Sequence, residues 1–246
     1  HHSTTAFLMQ NVRALFCISE PERDLAGRLY RLPPERAHLV GAGIDLEWQG
    51  QPERFRARRR IAGPFLLYVG RRDRYKHVPT LIQFFCAYRE RCGGDLKLVL
   101  AGPGPLHIPA GFVGQVVDLG VLSEQEKHDA YAAATLFCQP SPLESFSIVL
   151  AEAWLQGTPA LVNADCAVTT FHCQQSQGGL YYRDYLEFEA CLDYLLERPS
   201  LRERMGAAGR TYVREHFAWS NVIRRLVQSC AALGFPLSPA APAPEG

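Results

Sequence analysis

A chain of 246 residues, 47% hydrophobic and 21% charged, is long enough for one large or two small domains and too apolar for global disorder. Its formal net charge of +1 argues against non-specific nucleic-acid binding, so each local basic cluster has to be explained separately. No apolar run reaches the roughly 18 residues that a membrane span needs, and no signal-peptide pattern opens the chain, so a cytoplasmic setting is expected.

In chain order, residues 14–19 and 37–40 look like two strands around a helix at 21–30, followed by a charged, polar connector at 51–60. Two strands and one helix cannot bury a core alone. Residues 1–60 therefore read as the remnant of an N-terminal domain plus a linker; whether His1 and His2 are tag or native is open. From 65 onward, short apolar runs alternate with amphipathic stretches. The strand candidates are 65–69, 96–101, 115–119, 135–139, 159–162 and 179–182, mostly continuous apolar runs bounded by glycine or proline, as in strands buried on both faces of a parallel sheet. Residues 79–91 place Leu81, Phe84, Phe85 and Tyr88 at helical spacing. Ser123-Glu124-Gln125-Glu126 is a capping box opening a helix to 134, and further helices are expected at 185–197, 200–216 and 219–233. Strand–helix alternation of this kind gives an α/β, doubly wound parallel sheet over 61–235, with ligand at the carboxyl ends of the strands. The tail 236–246, nearly all Pro, Ala, Ser and Gly, reads as disordered.

The chemistry concentrates after two of these strands. Residues 144–152 form an apolar helical run with Glu144 just ahead of it and Glu152 within it. A helix starting near 145–147 would present free amides and its positive dipole end beside Glu144, a ready phosphate site. A lone carboxylate among Val149, Leu150, Ala153 and Trp154 is costly unless something hydrogen-bonds it. Taken alone, the segment leaves structure and ligand binding about equally open. After strand 65–69 comes Gly70-Arg71-Arg72-Asp73-Arg74-Tyr75-Lys76, a basic cluster at a strand's carboxyl end, where Arg71 offers a planar fork and Lys76 a point charge for phosphate oxygens. Its coincidence with residues 141–147 at a matching topological position favours a diphosphate site over a solvated loop.

Other features carry less. Val40-Gly41-Ala42-Gly43 lacks the third glycine and following helix of a dinucleotide fingerprint, and Gly102-Pro103-Gly104-Pro105 suits a turn better than a phosphate cradle. The eight cysteines (17, 86, 92, 138, 166, 173, 191 and 230) form no C-x-x-C pair and read as reduced, mostly buried small hydrophobes. His172 and Cys173 are adjacent, but no second pair stands at ligand spacing, so no metal is expected.

Four motifs occur in order: Gly70-Arg71-x-x-x-x-Lys76, Leu98-Val99-Leu100-Ala101-Gly102-x-Gly104-Pro105, Pro140-Ser141-x-x-Glu144-x-Phe146-x-x-Val149-x-x-Glu152-Ala153 and Gly157-Thr158-Pro159. Together they resemble the C-terminal, donor-binding Rossmann-like domain of retaining glycosyltransferases of family four, with the GT-B fold. Ser19-Glu20-x-Glu22 and Gly43-Ile44-Asp45 are similar to that family's domain junction. The resemblance implies that Arg71 and Lys76 grip the diphosphate of a GDP- or UDP-linked sugar and stabilise its departure, with Glu144 beside the sugar. Gly70, Ser145, Phe146, Ser147 and Ile148 would line the donor, the amides of Phe146 and Ser147 meeting its oxygens, and Glu152 would accept from the ribose hydroxyls. It implies no cofactor beyond the nucleotide sugar, and the absence of an Asp-x-Asp motif fits a metal-independent reaction. A glycan or lipid acceptor would bind the missing N-terminal domain, which would also make any membrane contact, so the chain alone is expected to transfer little or nothing. A catalytically silent nucleotide-sugar module, or another GT-B enzyme such as an epimerase, remains the alternative.

Three departures from the family pattern stand out. Ser145 and Ser147 replace common glycines, with loss of backbone freedom, and His77 replaces another. Residues 163–178 depart from a glycine-rich acidic loop; His172 and Ser176 either shape a sugar pocket or belong to a plain structural loop.

Overall fold

The computed structural model describes residues 2–237; His1 and most of the expected tail, 238–246, lie outside the described residues. The chain forms two compact units, one comprising the residues up to Gly43 and those from His216 onward, the other Ile44–Glu215. The first contains α1 (His2–Asn11), β1 (Leu15–Cys17), α2 (Glu20–Tyr30) and β2 (Ala37–Leu39). The two strands pair in parallel, Cys17 opposite Leu39. Helix α2 starts where the sequence dictates: the Ser19 hydroxyl accepts from the Glu22 amide at 3.3 Å, and the Glu22 carboxylate accepts from the Ile18 amide at 2.7 Å. The last helix, Trp219–Ala232, expected within the second domain, belongs to this unit, where Arg225 donates to the Val40 carbonyl at 2.9 Å.

The second unit runs α3 (Pro52–Arg59), β3 (Phe65–Val69), α4 (Val78–Cys92), β4 (Lys97–Ala101), β5 (Val116–Asp118), α5 (Glu124–Ala133), β6 (Leu136–Gln139), α6 (Ile148–Leu155), β7 (Ala160–Asn163), α7 (Ala167–Ser176), β8 (Gly179–Tyr182), α8 (Tyr185–Leu196) and α9 (Pro199–His216). The strands form one parallel sheet in the order β5-β4-β3-β6-β7-β8. Alternation along each strand divides its residues between two faces. Leu66, Tyr68, Leu98, Leu100, Leu136 and Cys138 join Leu81 and Phe85 of α4 and Phe188 and Leu192 of α8 in one buried cluster. Phe65 and Phe137 are equally buried and meet the opposite layer, where Phe55 of α3 stacks on Phe65 at 5.6 Å and Tyr131 of α5 meets Phe137 edge-on at 5.8 Å. Each such side chain contributes about 1.5–3 kcal/mol on burial.

Two segments differ from expectation. Residues 51–60, read as a polar connector, fold as α3. Its one apolar anchor, Phe55, is buried, and its arginines tie it to α5: Arg54 to Asp129 at 2.5 Å, and Arg58 and Arg59 to Glu126 at 3.0 and 2.9 Å. Charge run and helix are therefore the same feature. Residues 163–178, read as a loop, contain the helix α7.

The chain leaves β3 toward the β5 edge and returns through β6 on the other side of β3. The order therefore reverses between β3 and β6, and in doubly wound sheets the crevice outside that switch point is where ligands bind. The segments emerging there are 70–77 and 140–147. Among the described residues no helix is long and apolar enough to cross a membrane.

Candidate functional site

The β3 exit is held open by local bonds. Tyr68 donates its phenol proton to the Arg71 carbonyl at 2.5 Å, and burial above all raises the affinity of that phenol for its proton. The Asp73 carboxylate caps a short 3₁₀ turn, Arg74–Lys76, accepting from the amides of Tyr75 (3.0 Å) and Lys76 (3.1 Å). The Arg71 side chain is left 73% exposed, 3.8 Å from Asp73. His77 then takes a left-handed conformation (φ 54°) as the N-cap of α4.

From the β6 exit, residues 140–147 turn through Ser141, whose hydroxyl donates to the Leu143 carbonyl at 2.9 Å. Helix α6 begins at Ile148 with Ser147 as N-cap, left-handed at φ 73°. A serine there bears a steric cost that glycine would not; its hydroxyl, buried, donates to the side-chain oxygen of buried Gln139. Of the three positions where glycine's freedom was expected to be missed, Ser147 and His77 do adopt left-handed backbone and Ser145 does not. The first amides of α6 have no intrahelical acceptor.

The two exits are joined by Lys76 Nζ to Glu144 Oε1 at 2.6 Å, across 68 residues of sequence. Only 24% of the lysine side chain and 11% of the glutamate side chain are exposed. The resemblance sent Lys76 to the diphosphate and Glu144 to the sugar; the structure places each on the other.

Glu152, inside α6 and 9% exposed, has partners of its own. The Tyr131 hydroxyl donates to Oε2 at 2.9 Å and the Lys127 ammonium to Oε1 at 3.4 Å. Burial raises the Glu152 pKa above the ordinary carboxylate value, and Lys127 and Tyr131 pull the other way. Burial also opposes the Lys127 charge, but Glu124 (2.9 Å) and Glu152 outweigh it and hold the ammonium above its usual range. A ligand atom each from Glu124, His128 and Glu152 falls within 4.8 Å of the others, a geometry compatible with a cation, and Lys127 already brings positive charge to both carboxylates. Burial pushes His128 down to about 4, and its Nδ1 lies 3.0 Å from the Gln156 amide nitrogen. Tyr131 and Lys127 thus supply the hydrogen bonds that the sequence required for this carboxylate without naming their source.

His172 and Ser176 lie on α7. His172 is buried, 3.0 Å from the Tyr212 hydroxyl and edge-on to Phe146 at 5.4 Å, and burial lowers its pKa to about 4. The Ser176 hydroxyl accepts from the Gly178 amide at 2.9 Å. His172 thus backs the Phe146 ahead of α6, and Ser176 braces the turn into Gly178. Lys127, Tyr131, Gln139 and Arg72 are the site-adjacent residues that sequence reasoning passed over.

A parallel sheet wound in this order, with a basic strand exit joined to an acidic helix start at its switch point, defines an α/β, Rossmann-like ligand-binding domain. Residues 51–212 match the family model of glycosyl transferases group 1, and the chain belongs to that family. It is 33% identical over 238 residues to a D-inositol 3-phosphate glycosyltransferase of Frankia alni, covering 87% of this chain and 58% of that protein. It is 29% identical over 205 residues to the MMP alpha-(1->4)-mannosyltransferase of Mycolicibacterium hassiacum, covering 80% and 49% respectively. The chain thus spans about half the length of these relatives. Among solved structures, sucrose-phosphate synthase from Thermosynechococcus elongatus superposes with a TM-score of 0.76 at 23% identity (95% of this chain, 61% of that one). HepE of Anabaena, solved with UDP and glucose, gives 0.78 at 13% identity (94% and 66%).

Proposed function

We propose that this chain is the donor-binding half of a retaining glycosyltransferase that moves a hexose from a GDP- or UDP-linked sugar to a glycan or lipid acceptor. One observation carries it: the Lys76–Glu144 pair joins the β3 exit to the start of α6 at the switch point, beside the exposed Arg71. As the glycosidic bond breaks, negative charge grows on the departing diphosphate. Cations and amides already in place lower that barrier without reorganising. Arg71 and Lys76 supply the cations and the first turn of α6 the amides, and the reaction is expected to proceed without a divalent ion. Glu144 holds Lys76 until the phosphates arrive and then faces the sugar hydroxyls. Glu152, oriented by Lys127 and Tyr131, keeps lone pairs for the ribose diol. The inositol phosphate glycosyltransferase, the mannosyltransferase and the UDP complex of HepE support a nucleotide-sugar donor. The acceptor belongs to sequence beyond this half, so the chain alone binds donor and transfers little.

Calorimetric titration with GDP, UDP and ADP, with and without magnesium, tests this. The expected result is magnesium-independent binding of one nucleotide, abolished by Arg71→Ala with Glu152→Ala. Binding that persists undiminished in that double variant would place the nucleotide elsewhere.

A further inference from the structure

Arg72 stands next to the exposed Arg71 but points the opposite way energetically: its side chain is 2% exposed. Its guanidinium grips Asp118, at the end of β5, through two parallel bonds, Nη1 to Oδ2 at 2.8 Å and Nη2 to Oδ1. That fork, with Arg72 first among the causes, holds the Asp118 carboxyl below the usual carboxylate range. The same Asp118 Oδ1 accepts from the Gly120 amide at 2.8 Å.

The backbone continues the seam. The amide of Gly70 donates to the Ala101 carbonyl at 2.9 Å, that of Arg72 to Pro103 at 2.9 Å and that of Gly102 to Gly120 at 2.7 Å. The exits of β3, β4 and β5 are therefore laced together side by side. Gly102 and Gly104 are glycines for this reason: a Cβ on Gly104 would stand 3.1 Å from the Arg72 Cβ, and one on Gly102 would collide with the Gly70 carbonyl. The Gly-Pro-Gly-Pro turn, set aside as a phosphate cradle, is the bed on which the Gly70–Arg72 segment lies.

Stability alone is a poor reason for such a pair. The Asp118 side chain is 40% exposed, and an ion pair that solvent reaches on one side contributes little to stability. The buried Arg72 Nε has no partner among the described residues, which is a further cost. What a planar fork provides that an apolar contact does not is a fixed orientation between the two segments it joins. We infer that Arg72 is a positioning residue: clamped to Asp118, it holds the Gly70–Arg71 exit in the one register that presents Arg71 to the donor's diphosphate. This rests on the donor-site reading above.

The test uses the full chain carrying Arg72→Met with Asp118→Leu, alone and combined with Arg71→Ala, and reads three quantities. Thermal unfolding should be unchanged or raised. Amide hydrogen exchange should accelerate at Arg72, Gly102 and Gly120 while β3 and β6 stay protected. Affinity for the nucleotide that binds the wild type should fall about 10- to 100-fold, the scale of losing one charge-assisted phosphate contact. Arg71→Ala should then cost much less in this background than alone, because Arg71 is already misplaced. Arg72→Lys, which keeps the charge but not the fork, should leave thermal unfolding near that of the wild type while affinity still falls. Unchanged exchange at the three amides overturns the inference while leaving the donor reading intact. So does an Arg71→Ala effect that adds fully to the double variant's. A wild type silent toward GDP, UDP and ADP overturns the donor reading and this inference with it.

Discussion

The ion pair between Lys76 and Glu144 lends itself to a double-mutant cycle that separates scaffold from site. Breaking a fully buried pair costs about 3–5 kcal/mol, whereas an exposed one is worth about 0–1 kcal/mol. With side chains 24% and 11% exposed, this pair falls between. Lys76→Met leaves Glu144 as a nearly buried, unpaired carboxylate, and a loss of about 2 kcal/mol follows, or roughly 4–8 °C in melting temperature for a chain of this size. Glu144→Gln leaves a lysine that water can still reach and costs under about 1 kcal/mol. The double variant strands no charge, so it should be more stable than Lys76→Met alone, with a coupling of about 1–2 kcal/mol by thermal or urea unfolding. Titration with GDP and UDP reads the other half. Lys76→Met removes a charge-assisted phosphate contact of about 1.5–3 kcal/mol, a loss of roughly 10- to 150-fold. Glu144→Gln frees the lysine from its competitor and should tighten the bare nucleoside diphosphate. The double variant must regain stability without regaining affinity. Additive stability effects would show that the pair does not persist in solution. Equal weakening of the diphosphate by both single variants would show that Lys76 acts only through the scaffold.

Three further outcomes are expected. Arg71→Ala, at a side chain 73% exposed, should leave the melting temperature within about 2 °C and weaken nucleoside diphosphate more than nucleoside; a large stability loss would contradict its placement. His77→Gly relieves a left-handed residue and should stabilise the chain by about 0.5–1 kcal/mol after the entropy that glycine adds to the unfolded state, measured by urea unfolding. Because burial raises the folded-state pKa of Glu152, its ionisation favours the unfolded chain, so Glu152→Gln should gain on wild type as pH rises from about 4.5 through the raised value and then level off. A stability difference that is flat with pH, or that shrinks as pH rises, would contradict that burial.

What could be read in the chain and what could not divide along a physical line. Strands β3, β4 and β6 were legible because a strand buried on both faces needs an unbroken apolar run, and the capping box of α5 because its two partners are three residues apart. That residues 70–76 and 141–147 share a crevice was legible because each follows a strand's carboxyl end, whereas the switch point itself appears only in the strand order of the folded sheet. Helix α3 was hidden by its charge: one phenylalanine anchors it, and its arginines find acids on α5. The supports of the site were hidden by distance. Lys127 and Tyr131 reach Glu152 across 25 and 21 residues, and Arg72 reaches Asp118 across 46. No local spacing encodes such pairs; only the fold brings them together. The left-handed backbone at His77 and Ser147 was half visible, as glycine positions occupied by other residues, but Ser145 shows that the substitution alone does not locate the strain.

These supports share a pattern that bears on how the site works. Lys76 rests on Glu144, Lys127 on Glu124 and Glu152, and Arg72 on Asp118, while Arg71 keeps 73% of its side chain in solvent. A cation held by a nearby acid is already oriented before any ligand arrives, so little reorganisation remains for the reacting state. In the proposed site the same acid would compete with the ligand and so hold down ground-state affinity for a bare diphosphate. On the proposed function, Lys76 turns from Glu144 toward the phosphates as they bind, and its hold on them strengthens as charge develops on the leaving group. Interactions that strengthen only as charge separates raise the rate rather than the affinity. The arrangement is therefore suited to a departing diphosphate more than to a resting one, which is why affinity and turnover should respond in opposite directions to Glu144→Gln once the complete acceptor side is present.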